Sequence, residues 1–274
     1  MQQSDTIIGA DFDGQHHLRS MLHEAPAAEA ETVFADDGGS RLFKIRTADS
    51  SGQRSSASVL INRMYATRGY RTTPLPDRQL PTRITLTASD HDATIGTITI
   101  GFDSVHGLHV DDLFGDEVQQ LRREGRKVCE FTKLARDSAV RSKRVLASLF
   151  HVAYIYAHRM MDFDDLLIEV NPRHVRYYHQ MLGFETFGET RQNRRVNAPA
   201  VLMRLKFLHA HQQIEKFAGR ADTSPTERSL YPLFFAIHEE AGIVGRLRRA
   251  HPDTASDFLP ETSAPAQDLQ RSMH

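Results

Sequence analysis

Tryptophan is absent from this 274-residue chain and cysteine occurs once, at Cys129. A single thiol excludes an internal disulfide, and without paired cysteines the 15 histidines show no structural-zinc spacing. A reducing, cytoplasmic setting is expected. No stretch approaches the roughly 18 consecutive apolar residues of a membrane span, and the start, MQQSDTIIGADFDGQHH, has no basic segment followed by an apolar one. Excess charge is missing too. With 34 Lys and Arg against 35 Asp and Glu the formal net charge is −1, which excludes a surface given over to nucleic acid or to an anionic membrane and leaves any charged partner to a local patch.

What is present fits one soluble domain with tails. Residues 1–40 mix Gly, Ala, Asp, Glu and His without steady period, residues 250–274 are rich in Pro, Ser, Thr and Asp, and both read as mobile tails. Alternation predicts a strand over Arg41–Ala48. An amphipathic helix follows in SSASVLINRMYATRGY, with Val59, Ile61, Met64 and Tyr65 on one side. RITLTASD and ATIGTITIGF, joined at His91-Asp92, predict a hairpin. VCEFTKLARD reads as the next strand, KRVLASLFHVAYIYAHRMM as a largely buried helix, and DLLIEV as an interior strand. A helix over Arg173–Leu182 is stopped by Gly183, and FETFGET and APAVLMRLKF close the series. This is a mixed α/β order in which helical crossovers flank a parallel pair. A domain over 41–207 and a helical extension over 208–249 are expected, with SLYPLFFAIHEEAGI as a helix-like apolar segment over the site.

Four stretches in this order, NRMYATRGY, GRKVCEFTKLARD, LFHVAYIYAHR with LIEVNPRHVRYYHQMLGFE, and RVNAPAVLMRL, together resemble the FeeM-type N-acyl amino acid synthases. These belong to the GNAT superfamily and are related to acyl-homoserine lactone synthases. The resemblance covers roughly Arg41 to Arg246 and implies a GNAT-like acyl-CoA N-acyltransferase fold, a mixed central sheet flanked by helices. It implies transfer of a long-chain acyl group from an acyl-phosphopantetheine thioester to an amino acid by direct aminolysis. The donor would be carried on acyl carrier protein or, alternatively, coenzyme A, with no tightly bound cofactor and no metal.

Aminolysis of a thioester needs a neutral amine, a polarised carbonyl and a protonated or stabilised leaving thiolate. Glu130 matches the glutamate of the related E-x-x-R/K pattern and is the expected base; it also reads as a carboxylate paired with a nearby Lys or Arg. Lys133 is on the opposite face of a regular strand, and a β-bulge would turn both to one cleft, where it would hold the acceptor carboxylate or the acyl carbonyl. SAVRSKR occupies the place where ordinary GNAT enzymes carry a glycine-rich phosphate loop but has no glycine. Arg141, Lys143 and Arg144 there would instead suit one phosphopantetheine phosphate and an acidic carrier protein.

Asn171 and Tyr178 resemble the N…Y pair in which the tyrosine lies near the thioester sulfur, with Tyr177 as the alternative for that place. Arg173 and His174 lie beside the cleft or cap the helix. Tyr65 and Arg68, with Arg63, are expected on the acceptor side. Met64, Tyr65, Phe131, Leu149, Phe150, Phe234 and Phe235 are candidate acyl-channel linings and equally ordinary core. His151, His158 and Cys129 read as packing residues. Two rival readings stay open: an acetyl-CoA-dependent N-acetyltransferase, against which the missing glycines count, and a non-catalytic acyl-carrier-binding module.

Overall fold

Hydrophobic alternation and helical stripes resolve into a single mixed sheet with helices on both faces. The computed structural model describes residues 6–11, 42–70, 73–78, 80–140, 142–223 and 226–250; the tail expected over 250–274 otherwise lies outside them, as does Arg141. Strands β1 (Thr6–Asp11) and β2 (Leu42–Thr47) precede helix α1 (Ser51–Ala66). The hairpin β3 (Arg83–Asp90) and β4 (Ala93–Phe102) follows, then α2 (Asp111–Arg123), β5 (Val128–Arg136) and α3 (Lys143–Tyr154), which runs on through a π-helical turn, Ile155–Met160. β6 (Asp165–Val170) leads through a short 3-10 turn into α4 (Val175–Leu182), β7 (Glu185–Thr186), β8 (Arg191–Asn193), β9 (Ala198–Lys206), α5 (Phe207–Phe217) and α6 (Ile237–Ala250). The sheet runs β1-β2-β3-β4-β5-β6-β9-β7, with β8 paired to β9.

The hairpin turn falls at His91-Asp92 as expected, with His91 at φ 50°. Gly183 ends α4 at φ 79°, where its N–H bonds the His179 carbonyl, and a Cβ there would meet the His209 ring at 2.5 Å. On α1, Ser50 and Gln53 form a capping box. Its inward stripe is Ala57, Leu60 and Ile61, with Met64 and Tyr65 packed against them. Val59, expected on that face, is 63% exposed, because at about 100° per residue it falls on the opposite side of the helix from the i, i+3, i+4, i+7 positions.

Two expectations need correcting, and one element is new. Thr6–Asp11 is not tail but an edge strand, paired antiparallel with β2, which satisfies the N–H and C=O groups that β2 would otherwise leave open. Helix α2 goes unread in the sequence, although Phe114, Val118 and Leu121 make its buried stripe. The segment from Ser229 is not one helix: Tyr231–Leu233 form a 3-10 turn, Phe234 is extended, and α6 begins at Ile237. Pro232 at the start of that turn lacks the N–H an α-helix would need to continue through it. Leu230, Tyr231, Phe234, Phe235 and Ile243 join the main core with α3 instead of forming a separate unit.

One irregularity positions the site. β5 and β6, the parallel pair, are hydrogen-bonded only over Val128–Glu130 and Asp165–Leu167. Beyond that point each keeps its outer neighbour, β5 through Arg136 opposite Gly96 and β6 through Val170 opposite Val201. The two strands therefore splay and leave a cleft between their C-terminal ends.

Candidate functional site

The cleft has a volume of about 200 Å³ and is lined by residues of α1, β5, β6, α4 and the β8–β9 hairpin. Its apolar side carries Phe131 and Phe150, whose rings lie 6.2 Å apart, with Ile98 and Ile168. Tyr65, Tyr70 and Tyr178 supply the aromatic rim, and Thr132, Lys133, Glu169 and Asn171 the polar groups. The hydroxyl of Thr132 is buried with no hydrogen-bond partner among the described residues.

A bulge turns Lys133 into this space. Thr97 pairs with Ala135 and Thr99 with Thr132, so Lys133 and Leu134 together oppose one residue of β4. Lys133 takes φ 50°, and its carbonyl accepts the Thr97 hydroxyl at 2.8 Å. The ammonium donates to the Thr73 carbonyl at 2.8 Å and has no carboxylate partner among the described residues. Burial and the nearby Arg83 guanidinium pull its pKa down.

Glu130 is placed differently from Lys133. It is wholly buried, does not line the cleft, and accepts the backbone N–H groups of His109 (2.9 Å) and Val110 (3.1 Å) at the start of α2. Arg83 lies 3.5 Å from it. Burial pushes its carboxyl up, against those two N–H groups and Arg83. Gly101 makes the room: a Cβ there would meet the Glu130 side chain at 2.8 Å. His109 is driven down to about 4 by burial and by the cations Arg83, Arg195 and Lys133, so at neutral pH it adds no charge.

Of the other sequence candidates, Tyr65, Arg68, Phe131, Asn171 and Tyr178 all reach the cleft, and Tyr177 does not. Burial pushes the Tyr178 hydroxyl well up, helped by Tyr65 and Tyr177 and opposed by Arg68; Tyr65 rises to about 12. Both stay protonated donors. Asn171 caps the turn after β6 by accepting the Arg173 N–H, and its amide donates to the Tyr70 hydroxyl at 3.3 Å. Arg173 stands just outside, its guanidinium donating to the same hydroxyl at 3.2 Å.

At the start of α3, Ser142 caps the helix and Arg136 donates to the carbonyls of Val140 and Ser142, which fixes the glycine-free turn. Lys143 is exposed there. Arg144, expected beside it in a basic cluster, is only 5% exposed, because it stands two helical turns before the buried His151 on the same side of α3. Arg63 pairs with Asp137 at 2.6 Å and ties α1 to this turn. Leu149 is core, and Phe234 and Phe235 stack on the buried His151 ring, away from the cleft.

Sequence reading missed Glu169, Asn193 and Arg195. Glu169 was legible only as the one acid near the end of an apolar strand, and its partners come from a hairpin more than twenty residues on. Asn193 donates to one of its oxygens and Arg195 to the other, at 3.3 Å; Arg195 also pairs with Asp112 at 3.1 Å.

A family model described as N-acyl amino acid synthase FeeM matches residues 56–206. The chain is similar to the solved structure of FeeM, an N-acyl amino acid synthase from uncultured soil microbes, with 25% identity and a TM-score of 0.55 over 62% of this chain and 93% of that one. It is also similar to a putative N-acetyltransferase from Lactobacillus plantarum (15%, 0.45, 60% and 98%) and to the AHL synthase LasI (10%, 0.46, 60% and 90%). The comparison with curated proteins gives no match.

Proposed function

We propose that this chain, which belongs to the FeeM family of N-acyl amino acid synthases, moves a long-chain acyl group from acyl carrier protein to the amino group of an amino acid. The chain is an N-acyltransferase with a GNAT-type fold; the proposal concerns donor, acceptor and residue roles. The observation that carries it is the splay between β5 and β6, apolar on one side and bearing, on the other, a half-buried ammonium with no carboxylate partner among the described residues.

The thioester arm enters between the splayed strands, where the unpaired backbone edges can bind its amides as a third strand would. Phe131, Phe150 and Ile168 receive the start of the acyl chain. Each buried methylene contributes about 0.8 kcal/mol, so a dozen carbons give an order of 10 kcal/mol that a short acyl group lacks. Lys133 holds the acceptor carboxylate. Tyr178, protonated at neutral pH, donates to the sulfur as the C–S bond breaks. The exposed cations Arg68, Arg173 and Lys143 suit the acidic face of a carrier protein and its phosphate. Glu130 shapes the site by anchoring α2 and Arg83.

The test offers palmitoyl-carrier protein, palmitoyl-CoA and acetyl-CoA in turn with a pool of amino acids, and reads products by mass spectrometry. An N-acyl amino acid made from the carrier form supports the proposal. Transfer from acetyl-CoA alone replaces it with an acetyltransferase, and binding of the carrier without any product replaces it with a carrier-binding module.

A further inference from the structure

The site as described lacks a group to take the proton from the acceptor amine. Glu130 has both oxygens bonded to backbone N–H groups and stands outside the cleft. Glu169, by contrast, lines it, on the part of β6 that has already left β5. Strand alternation puts Glu169 on the same face as Leu167, which packs in the core under α2. Lys133 is turned to that side of the sheet as well, where its ammonium meets the Thr73 carbonyl. An acid and a base of opposite charge thus stand across the splay, one on each strand.

Glu169 is held for such a role. Its side chain is 17% exposed, Asn193 donates to one oxygen, and Arg195 donates to the other. Each carboxylate oxygen has two acceptor directions, so two remain open after those bonds among the described residues. An amino acid carries an ammonium and a carboxylate on one carbon, and the Glu169 and Lys133 pair complements both.

We infer that Glu169 binds the acceptor's ammonium in the cleft and receives its proton before attack. This rests on the reading of the acceptor as an amino acid. Of the three ammonium protons, one passes to Glu169 and on to solvent. The neutral nitrogen then forms the C–N bond at the thioester carbonyl. A second proton leaves nitrogen as the tetrahedral adduct collapses, the C–S bond breaks, and the departing sulfur ends as a thiol; the third proton stays on the amide. Asn193 and Arg195 act as positioning residues for Glu169.

The experiment uses the full chain, the acyl donor and the amine that the wild type accepts best, and measures kcat/KM for that amine from pH 6.5 to 10. Glu169→Gln lowers it about 100-fold at pH 7, within the usual range for a lost general base. The deficit narrows as pH approaches the amine's own pKa, where neutral amine is supplied by solvent. KM for the acyl donor stays unchanged, and Glu169→Asp, which keeps the charge and guards against a folding failure, retains more activity than the glutamine variant. Two results overturn the inference. One is both variants within threefold of wild type at every pH. The other is an equal loss in both variants at all pH values with a lowered Tm, which would make Glu169 only an anchor for the β8–β9 hairpin. The identity of the acceptor is read from the wild type and the role of Glu169 from the variant-to-wild-type ratio, so the two readings fail separately.

Discussion

Replacing Lys133 with methionine removes the ammonium while keeping most of the apolar stem. In the free protein the ammonium donates to one acceptor among the described residues, the Thr73 carbonyl at 2.8 Å, and burial beside Arg83 already disfavours its charge. Losing that bond costs about 1 kcal/mol, and relief of the buried charge offsets part of it, so Tm should move by no more than a few degrees. Binding is affected more. A charge-assisted bond to the acceptor carboxylate is worth about 1.5–3 kcal/mol, which at 1.36 kcal/mol per decade is roughly a 10- to 150-fold preference. The assay compares kcat/KM for an amino acid with that for the corresponding amine without the carboxylate. Wild type should favour the amino acid by roughly that factor, and Lys133→Met should accept both about equally. If the variant keeps the full preference and loses only kcat, Lys133 does not hold the carboxylate and acts on the acyl carbonyl instead.

Tyr178→Phe should lower kcat by about 100-fold with little change in KM for the donor, and the loss should shrink for a donor whose thiol is more acidic and leaves without help. Gly101→Ala drives a Cβ to 2.8 Å from the Glu130 side chain; it should cost about 1–3 kcal/mol by overpacking, measured by denaturant unfolding, and reduce activity by displacing the start of α2. His151 is buried and neutral: its Nδ1 accepts the Phe235 N–H at 3.0 Å, so Nε2–H faces Glu240 at 3.1 Å. Burial lowers its pKa, against the pull of Glu240. The unfolded chain therefore binds this proton more readily, and stability should hold above about pH 6.5 and fall below it by up to about 1.4 kcal/mol per pH unit. Thermal melts across pH 5 to 8 check this, and His151→Gln should flatten the slope.

The sequence by itself determined the elements whose periodicity is local. The β3–β4 hairpin, β5, α3, β6 and the Gly183 stop were legible because alternation, a continuous apolar run and a left-handed glycine each act within a few residues. It also carried the family resemblance and brought Tyr65, Arg68, Phe131, Lys133, Asn171 and Tyr178 to notice, all of which line one cleft. Tertiary structure decided what depends on distant partners. Thr6–Asp11 becomes a strand because β2 offers it an edge, a contact some forty residues away that no local pattern announces. The bulge at Lys133 chooses which face its ammonium sees, and a shift of one residue reverses that face. Glu130 and Glu169 are both acids within largely apolar strands, and sequence cannot rank them. The α2 N-terminus closes around one, and the splay of β5 from β6 opens the cleft beside the other.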